Sequence, residues 1–482
     1  MWNLGTIHIG GEDIQAEGGK LLEVTSPASL ASVGNVGSAS AKDVDHAVAA
    51  ARAAFETGEW AEMSGAQRGQ LLARLADLIE LEAAELGAMD AMSIGRPVAE
   101  TQILDVPNAV ATFRYYAGWT DKLEGRVIPT SGYFGRRTHS FVTREPIGVI
   151  GMIVPWNTPL MILAWKLAPA LATGCTCVIK PAEQTPFSAL RLAQLALEAG
   201  IPAGVINVVP GDGREAGAAL SLHADVNKIS FTGSPETGAE VMKAASSNFK
   251  RVALELGGKS PQIVFDDCDI EAAIQGCAMG LFFNQGQVCA AGTRIFVQKN
   301  IVKQFTEAFA AAAASIQVGD PAGEEVQMGA LATRGQFERV DQYVQSGVAE
   351  GARMITGGAL PGSKGFFYRP TLFDQVSSNM RIVAEEVFGP VGCIIPFDNT
   401  EDAVAGANDT KYGLAATIWT KDINRALETA GKIRAGAVSV NGWATIDPAL
   451  PWGGFKTSGI GRELGLSGIE ACTEEKVTTL VL

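Results

Sequence analysis

The first third of the chain carries apolar residues at helical spacing. In Ser40–Thr57 and in Ser64–Ser93 they recur every three to four positions, and each segment begins at a Ser whose hydroxyl can cap a first helical turn. We therefore predict two long helices. The next segment, Arg126–Arg144, is polar, rich in β-forming residues and contains Gly, which predicts a hairpin with a Gly-containing turn.

From residue 147 onward, short apolar runs alternate with segments of helical periodicity. Strands are predicted at 147–155, 175–180, 205–211, 228–233 and 251–258, and helices at Leu160–Ala172, Pro186–Ala199 and Pro235–Ser246. Apolar strands separated by helices of about 10–15 residues indicate a parallel, doubly wound sheet. A second alternating set from Ser260 to about Val440 predicts another α/β domain. The tail, Glu474–Leu482, is predicted to be a final strand that a hairpin edge could accept.

The composition narrows the class of protein. With 482 residues, 47% of them hydrophobic and 19% charged, the chain is long enough for more than one core. A net charge of -14 argues against a nucleic-acid groove, which needs clustered Lys and Arg. The seven cysteines are odd in number and dispersed, and the four histidines are scattered, so we expect neither a disulfide framework nor a metal site.

The most membrane-like stretch is Val149–Trp165, which has 17 residues and no charge. It is shorter than the about 20 apolar residues that span a bilayer, and Pro155 and Pro159 interrupt it. A buried strand, a turn and the start of a helix explain it better. The N-terminus has no basic region followed by an apolar one, so it does not match a signal peptide. We expect a cytoplasmic protein without membrane segments.

Two loops at the ends of predicted strands have the chemistry of a nucleotide site. Residues 231–238 (FTGSPETG) lie between a strand and a helix, where Gly233 permits close approach of a phosphate and the helix N-terminus favours an anion. Lys180 and Glu183 follow another strand of the same sheet, and open α/β sheets bind ligands at the carboxyl ends of their strands. Taken alone, each segment is also compatible with a loop that binds nothing.

Cys289 is the candidate nucleophile, in the segment FNQGQVCAAGTR. At a free pKa of about 8.5 only a few per cent of a thiol is ionised at neutral pH, so a base is needed. Glu255, which ends a predicted strand just before two glycines, is the candidate base. Asn157 in PWNTP offers an amide donor for a developing oxyanion. At this point simple packing explains the cysteine equally well.

Seven motifs together resemble the aldehyde dehydrogenase superfamily, in its NAD(P)-dependent, hydrolytic, non-CoA-acylating branch. They occur in the order and approximate spacing of that family and span essentially the whole chain. The motifs are PWN (155–157), KPAEQTP (180–186), FTGS (231–234), ELGGKSP (255–261), GQVCAAGTR (286–294), EEVFGP (385–390) and PWGGFKTSGIGRELG (451–465). Each motif alone is weak, but their coincidence is highly specific.

The resemblance implies a role for each matched residue. Cys289 is similar to the nucleophile and Glu255 to the general base, while Asn157 and the backbone N–H of Cys289 match the oxyanion hole. The matched cofactor residues are Lys180 and Glu183 at the adenine-side ribose, Gly233 and Ser234 at the pyrophosphate, Glu386 and Phe388 at the nicotinamide ribose, and Trp156 in the cofactor cleft. Glu463 matches a carboxylate outside the reacting centre that is implicated in water handling.

The implied reaction is the oxidation of an aldehyde to a carboxylic acid. The thiolate of Cys289 attacks the aldehyde, hydride passes to the nicotinamide, and Glu255 activates the water that hydrolyses the thioester. We expect NAD as the cofactor, with NADP as a weaker alternative, because the carboxylate of Glu183 would repel a 2′-phosphate.

The positions that match the family's aldehyde tunnel carry no charge. They are Thr158, Met161, Ile162, Trp165, Phe283, Val288, Trp443, Ile446 and Trp452. Three tryptophans and a phenylalanine favour an aromatic or medium-to-long apolar aldehyde. Packing between domains explains the same aromatic residues, and that alternative stays open.

The resemblance also implies an α/β protein with two doubly wound open-sheet domains and a small β oligomerisation hairpin. The NAD-binding, Rossmann-like domain would comprise 1–123 and 146–257, the catalytic domain 258–457, and the oligomerisation element 124–145 and 458–482. The expected partners are a small aldehyde and further copies of the chain, as a dimer or a tetramer, with the final strand Val477–Leu482 able to pair across subunits. Neither nucleic acid nor a membrane is expected.

Two alternatives compete with the hydrolytic enzyme. A CoA-acylating semialdehyde dehydrogenase would pass the acyl group to CoA, but those relatives lack the base at the position of Glu255. A catalytically silent relative would serve as a structural or binding protein, and the intact Cys289, Glu255 and Asn157 argue against it.

Overall fold

The computed structural model describes residues 1–443 and 445–482. Strands in this part of the chain form two large sheets and two of three strands. The first large sheet contains, side by side, Gly459–Ile460, Arg251–Glu255, Lys228–Thr232, Val149–Ile153, Thr176–Lys180, Ile206–Val208, Ile7–Ile9 and Glu12–Ile14. Its five central strands are parallel, whereas the pairs at both ends are antiparallel. The predicted doubly wound sheet is present.

The direction of winding reverses at Val149–Ile153. The next two strands along the chain lie on one side of it, and the two after those lie on the other side. Such a reversal opens a crevice at the carboxyl ends of the strands, where open α/β sheets bind ligands. Residues 155–157, which follow this strand, and 232–235, which end and follow Lys228–Thr232, line one cleft there.

Alternate residues of the central strand enter two different cores. Ile150 and Met152 pack with the helices on one face of the sheet, whereas Val149 and Ile153 pack with residues of the other core. This is the two-residue period of a strand that is buried on both faces. The stretch Val149–Trp165 is therefore a strand, a turn and the start of the helix Pro159–Thr173, as predicted. No helix among the described residues has the length and apolarity needed to cross a bilayer.

The two predicted N-terminal helices are found, one of them in two pieces. Ser40 and Ser64 are N-caps, and each forms a reciprocal capping box with the third residue of its helix. The segment predicted as one helix from Ser64 to Ser93 breaks at Glu82, whose carboxylate accepts a hydrogen bond from Arg191 Nε at 2.8 Å. The α-helices described before the second sheet are Ala41–Thr57, Glu59–Glu62, Gly65–Leu81, Ala83–Ile94, Val98–Glu100, Val106–Ala117, Pro159–Thr173, Phe187–Ala199, Ala218–Leu222 and Pro235–Ala245.

The second large sheet lies within the second half of the chain. Its strands, in spatial order, are Arg353–Ala359, Tyr368–Asp374, Val391–Phe397, Arg294–Gln298, Pro261–Val264, Ala415–Trp419 and Ala437–Val440. All neighbours are parallel except the first pair. The helices that accompany this sheet are Ile270–Phe282, Val302–Ser315, Arg334–Ala349, Arg381–Ala384, Thr400–Asn408 and Ile423–Lys432. The second predicted α/β unit is thus also present.

The predicted hairpin and the C-terminal strand form one three-stranded sheet. Arg126–Ile128 and Thr138–Pro146 pair antiparallel, and Thr473–Val481 pairs along the whole length of Thr138–Pro146. The final strand therefore pairs within its own chain along this edge, as the hairpin-edge prediction has it, and not across subunits there. The remaining sheet contains Trp2–Asn3, Ser32–Gly37 and Leu21–Thr25.

The segment 458–482 is divided between two parts of the fold. Gly459–Ile460 joins the first large sheet beside Leu254 and Glu255, and the helix Gly465–Glu470 packs against Pro159–Thr173. Only the strand at the end of the segment belongs to the hairpin sheet. A physical reason is that Gly459–Ile460 covers an edge of the sheet that would otherwise be exposed.

Candidate active site

A cleft of about 220 Å³ lies at the carboxyl edge of the first large sheet, where the second half of the chain covers it. Of the residues singled out in the sequence, it brings together Trp156, Asn157, Gly233, Ser234, Glu255, Cys289, Glu386 and Phe388. They come from three strand ends and two loops that are far apart in sequence. Parallel topology explains their meeting, because strand ends of one sheet share an edge.

Cys289 follows a turn whose backbone is unusual. Asn284 and Gln285 have φ of 49° and 56°, in the left-handed region that non-glycine residues rarely occupy. The turn is held by side-chain hydrogen bonds, including one from Gln285 Nε2 to the carbonyl of Ala330 at 2.8 Å. Gly258 is required on the opposite side, because a Cβ there would lie 2.3 Å from the carbonyl oxygen of Cys289. The segment that follows Glu255 therefore meets the loop of Cys289 at backbone contact distance beside the thiol.

The environment of the Cys289 thiol disfavours its ionised form. Burial raises its pKa to about 12, and the carboxylates of Glu386 and Glu255 add to the increase, while the N–H groups of Ala290 and Cys289 oppose it. Because the thiolate is the nucleophilic form, the resting site needs a base to remove this proton. Glu255 lines the same cleft.

Asn157 is buried beside the turn Phe283–Gly286, which precedes Cys289. Its side-chain Nδ2 donates a hydrogen bond to the backbone carbonyl of Gln287 at 3.0 Å. The backbone carbonyl of Asn157 accepts a hydrogen bond from Asn284 Nδ2 at 2.8 Å. A primary amide has two N–H donors, so this bond leaves one N–H of Asn157 for another acceptor. The amide is fixed against the loop that carries Cys289.

Glu255 is buried at the end of its strand, and its Oε2 makes no hydrogen bond to any described protein atom. Burial raises the pKa of this carboxyl group well above its ordinary value, and the carboxylate of Glu463 raises it further, whereas Lys166 and Arg462 oppose the change. A buried carboxyl group with an unused oxygen in a cleft is suited to exchanging a proton with a bound water or a reacting group.

Glu463 belongs to a buried polar cluster behind Glu255. It forms an ion pair with Lys166, and Ser230 Oγ lies 3.1 Å from Lys166 Nζ and 3.2 Å from Glu463 Oε1. Sequence reasoning placed Glu463 but missed Lys166 and Ser230. Lys166 could have been noticed, because it is a charged residue in a helix, Pro159–Thr173, whose residues are otherwise uncharged and all buried.

A second cavity, of about 1000 Å³, contains the predicted ribose residues Lys180 and Glu183. Lys180 Nζ donates to the carbonyls of Pro181 and Gly211 at 2.8 and 2.9 Å and lies 3.3 Å from Glu183 Oε1. Burial lowers the pKa of Lys180, and Glu183 opposes that change. Ser234 caps the helix Pro235–Ala245, whose first residues Glu236 and Thr237 line this cavity. A helix N-terminus of this kind attracts anions.

Glu386 and Phe388 line the cleft from the second half of the chain. Glu386 Oε1 accepts the N–H of Gly258 at 3.0 Å, and burial raises its pKa to about 7. Phe388 has a left-handed φ of 59°, and its ring lies edge-on to that of Trp156 with centroids 5.4 Å apart. The cleft also contains Gln336, Arg339 and Tyr412, which no motif of the sequence indicated.

The nine predicted substrate residues lie outside this cleft. Trp165 and Trp452 are in contact with ring centroids 6.0 Å apart, and Phe283 and Trp443 are 5.9 Å apart. Thr158, Met161 and Ile162 are buried, while Val288 and Ile446 are half-buried against the same core. Sequence reasoning missed Asn108, whose Oδ1 accepts the indole N–H of Trp165 at 2.7 Å.

Comparison with known proteins gives one consistent answer. The model of the aldehyde dehydrogenase family matches residues 14–478. Human retinal dehydrogenase 2 is 45% identical over 477 residues, which cover 98% of this chain and 91% of that protein. An aldehyde dehydrogenase of Alternaria alternata is 44% identical over 477 residues, covering 99% and 95%.

Solved structures agree closely with the fold. The NAD+ complex of an aldehyde dehydrogenase from Bacillus cereus has a TM-score of 0.97 at 44% identity, covering 99% of this chain and 96% of that one. PnpE from Pseudomonas sp. WBC-3, in complex with nicotinamide adenine dinucleotide, has a TM-score of 0.96 at 43% identity, covering 100% and 98%.

Proposed function

The chain belongs to the aldehyde dehydrogenase family, and from that premise we propose that it oxidises an aldehyde to the carboxylic acid through a thioester on Cys289, with NAD as the oxidant. The observation that carries this proposal is the single cleft that contains Cys289, Glu255, Asn157 and Glu386. A nucleophile, a base and an amide donor in one site are the parts that acyl chemistry requires.

The cavities have the chemistry to hold NAD. Lys180 and Glu183 lie where a ribose would need a donor and an acceptor, and the start of the helix Pro235–Ala245 offers N–H groups to the pyrophosphate. Glu386 and Phe388 would hold the nicotinamide ribose, and Trp156 would form a wall of the cleft. When bound there, NAD supplies the hydride acceptor, which is chemistry that no side chain can provide.

In the first step Sγ of Cys289 forms a bond to the aldehyde carbon. The thiol proton passes to solvent water that reaches the partly exposed Cys289, so Glu255 is still deprotonated for the second step. The carbonyl oxygen becomes an oxyanion that accepts hydrogen bonds from the Asn157 amide and the backbone N–H of Cys289. The electron pair then re-forms the carbonyl bond as hydride departs, which leaves a thioester on Cys289.

In the second step a water replaces sulphur on the acyl carbon. Glu255 takes a proton from that water, the hydroxide adds to the thioester, and the C–S bond breaks to release the acid and the thiol of Cys289. Overall, aldehyde, NAD+ and water give carboxylic acid, NADH and one proton. Burial and the carboxylate of Glu463 behind it raise the pKa of Glu255, while Lys166 opposes the rise, and a carboxylate of raised pKa is a stronger base toward that water.

The absence of charge and the four aromatic side chains among the nine predicted substrate residues favour an aromatic or medium-to-long apolar aldehyde. The contacts Trp165–Trp452 and Phe283–Trp443 present flat apolar faces. Transfer to CoA is disfavoured, because Glu255 provides the base that hydrolysis needs. The test is a panel of aromatic, aliphatic and semialdehyde substrates, with NADH fluorescence as the readout. Aromatic or apolar aldehydes should give the highest kcat/KM. A preference for charged semialdehydes would refute this substrate class.

The chain is organised around three parts in this proposal. Residues 1–123 and 146–257 bind the cofactor, 258–457 carry the nucleophile, and 124–145 with the end of 458–482 mediate oligomerisation.

The hairpin sheet exposes Val127, Ile128, Val477 and Leu480. The outer edge of Thr473–Val481 has no strand partner in the described part of the chain. A small sheet with exposed apolar residues and a free edge needs a cover, and a further copy of the chain supplies it. A monomeric mass by light scattering at micromolar concentration would refute the homo-oligomer.

A further inference from the structure

A buried cluster of charged side chains lies behind the loop that carries Cys289. Arg96 is fully buried, and its Nε donates to Glu100 Oε2 and its Nη1 to Asp105 Oδ2, both at 2.7 Å. Burial raises the pKa of both carboxyl groups, and Arg96 opposes the rise. Buried ion pairs generally add little stability over apolar packing, so this cluster points to a role in fixing geometry.

The backbone between the two carboxylates has a distinctive form. Residues Thr101–Asp105 make one π-helical turn directly after Glu100. Such single wide turns are frequent at functional sites. Here Glu100, just before the turn, and Asp105, its last residue, both contact the guanidinium of Arg96.

The cluster is connected to the turn Phe283–Gly286 by two contacts. Glu100 Oε2 accepts the backbone N–H of Asn284 at 3.1 Å, and the guanidinium of Arg96 lies over the ring of Phe283, 4.5 Å from its centroid. Phe283 and Asn284 begin the turn that precedes Cys289. Because Asn284 has a left-handed backbone, its conformation depends on surroundings that hold it.

The turn that precedes Cys289 also holds Asn157, the proposed oxyanion donor. Asn284 Nδ2 donates to the carbonyl of Asn157 at 2.8 Å and to that of Gln287 at 3.2 Å. Asn157 Nδ2 donates to the same Gln287 carbonyl at 3.0 Å. An unbroken series of hydrogen bonds therefore runs from Arg96 through Glu100 and Asn284 to Asn157.

We propose that Arg96, Glu100 and Asp105 are positioning residues of this enzyme, which hold the turn at Asn284 so that the amide of Asn157 and the N–H of Cys289 converge on one oxygen. None of the three lines the cleft that contains Cys289 or the large cavity beside Lys180. The inference rests on the proposed function, because only that reaction gives Asn157 an oxyanion to bind. Misplacing a reacting group by about 1 Å can cost about 10²-fold in rate.

The test is Glu100→Ala, which removes the acceptor for both Arg96 and Asn284. We expect kcat to fall about 10–100-fold, while the dissociation constant of NAD stays within about twofold because the cofactor residues lie elsewhere.

Leu75→Ala is the control for lost stability, since Leu75 is fully buried in the helix Gly65–Leu81 and outside the series of hydrogen bonds. It should lower the melting temperature without changing kcat. If Glu100→Ala does not fold, Arg96→Lys, which keeps the charge but loses the paired geometry, takes its place and should show the same split.

A double variant separates positioning from general destabilisation. If Glu100 acts through Asn157, then Asn157→Ala combined with Glu100→Ala should be about as slow as Asn157→Ala alone. Multiplied losses, or a Glu100→Ala enzyme with wild-type kcat, would overturn the proposal.

A second readout does not depend on turnover. The rate at which iodoacetamide alkylates Cys289, followed peptide by peptide, should change by at least about threefold in Glu100→Ala, because the turn before the thiol moves. The rate at Cys268, which is also partly exposed, should not change. A wild-type chain that makes no NADH from any aldehyde would refute the proposed function, and the alkylation rates would still decide whether Glu100 holds the turn: equal rates at Cys289 would overturn it.

Discussion

Glu183 should make the enzyme prefer NAD to NADP. Its side chain is 34% exposed and lies in the large cavity beside Lys180 and Arg214. A carboxylate at this place can accept hydrogen bonds from both ribose hydroxyls. In NADP the 2′-hydroxyl of the adenosine ribose is phosphorylated, so the carboxylate of Glu183 would face the negative charge of that phosphate.

The magnitude follows from the exposure of Glu183 and from its partner. Two unit charges about 4 Å apart repel by about 4 kcal/mol at an effective dielectric of 20 and by about 1 kcal/mol in water. Partial exposure places Glu183 between these limits, and Lys180 Nζ, 3.3 Å from its Oε1, offsets part of the repulsion. A net difference of about 1–2 kcal/mol corresponds to a preference of about 5–30-fold.

The assay compares kcat/KM for NAD and for NADP with one aldehyde. The wild type should favour NAD by the factor above, and Glu183→Ser should bring the two values within about threefold of each other. Glu240→Ser is the matched control, because Glu240 lines the same cavity but is paired with Lys243. It should leave the ratio unchanged. A wild type that favours NADP would show that Lys180 outweighs Glu183, and an unchanged ratio in Glu183→Ser would refute the electrostatic argument.

Three further predictions concern the catalytic residues. Cys289→Ala should abolish dehydrogenase activity and leave NAD binding intact by equilibrium titration; turnover near the wild-type rate would refute the nucleophile. Asn157→Ala should lower kcat by roughly 10²–10³, with little change in cofactor affinity, and a rate within about threefold of wild type would remove Asn157 from the mechanism. Because the pKa of Glu255 is raised by burial and by Glu463 and the base acts when deprotonated, hydrolysis of the acyl-enzyme should slow as pH falls through that raised pKa; single-turnover rates that do not vary with pH would contradict this.

The parts of the fold with local causes could be predicted from the sequence. The caps at Ser40 and Ser64 arise from side chains that bond within one helical turn, and the alternation from residue 147 follows from burial on both faces of a parallel sheet. The meeting of Asn157 with Glu255 at one edge of that sheet is a consequence of the same topology. That both residues lie close to Cys289 was predicted from the resemblance to the family, not from the topology of the sheet.

Features that depend on distant partners could not be predicted. At the break, Glu82 accepts a hydrogen bond from Arg191 of another helix, and the ion pair of Lys166 with Glu463 joins residues 297 positions apart. The hairpin edge was predicted to accept the final strand, but the register, which pairs Thr473–Val481 with the whole of Thr138–Pro146, was not. Tyr412 lines the cleft but belongs to none of the seven motifs, so its place in the site was visible only in the folded chain.

The central claim is that a thioester forms on Cys289 and that Glu255 serves its hydrolysis. The most direct measurement is rapid mixing of Glu255→Gln with NAD and an aromatic aldehyde, following NADH fluorescence and the mass of the peptide that contains Cys289. We predict a fast burst of up to one NADH per site, little further turnover, and an acyl adduct on Cys289, because hydride leaves before the water step. Neither burst nor adduct would instead assign Glu255 to activation of the thiol, and steady turnover at the wild-type rate without an adduct would contradict the account.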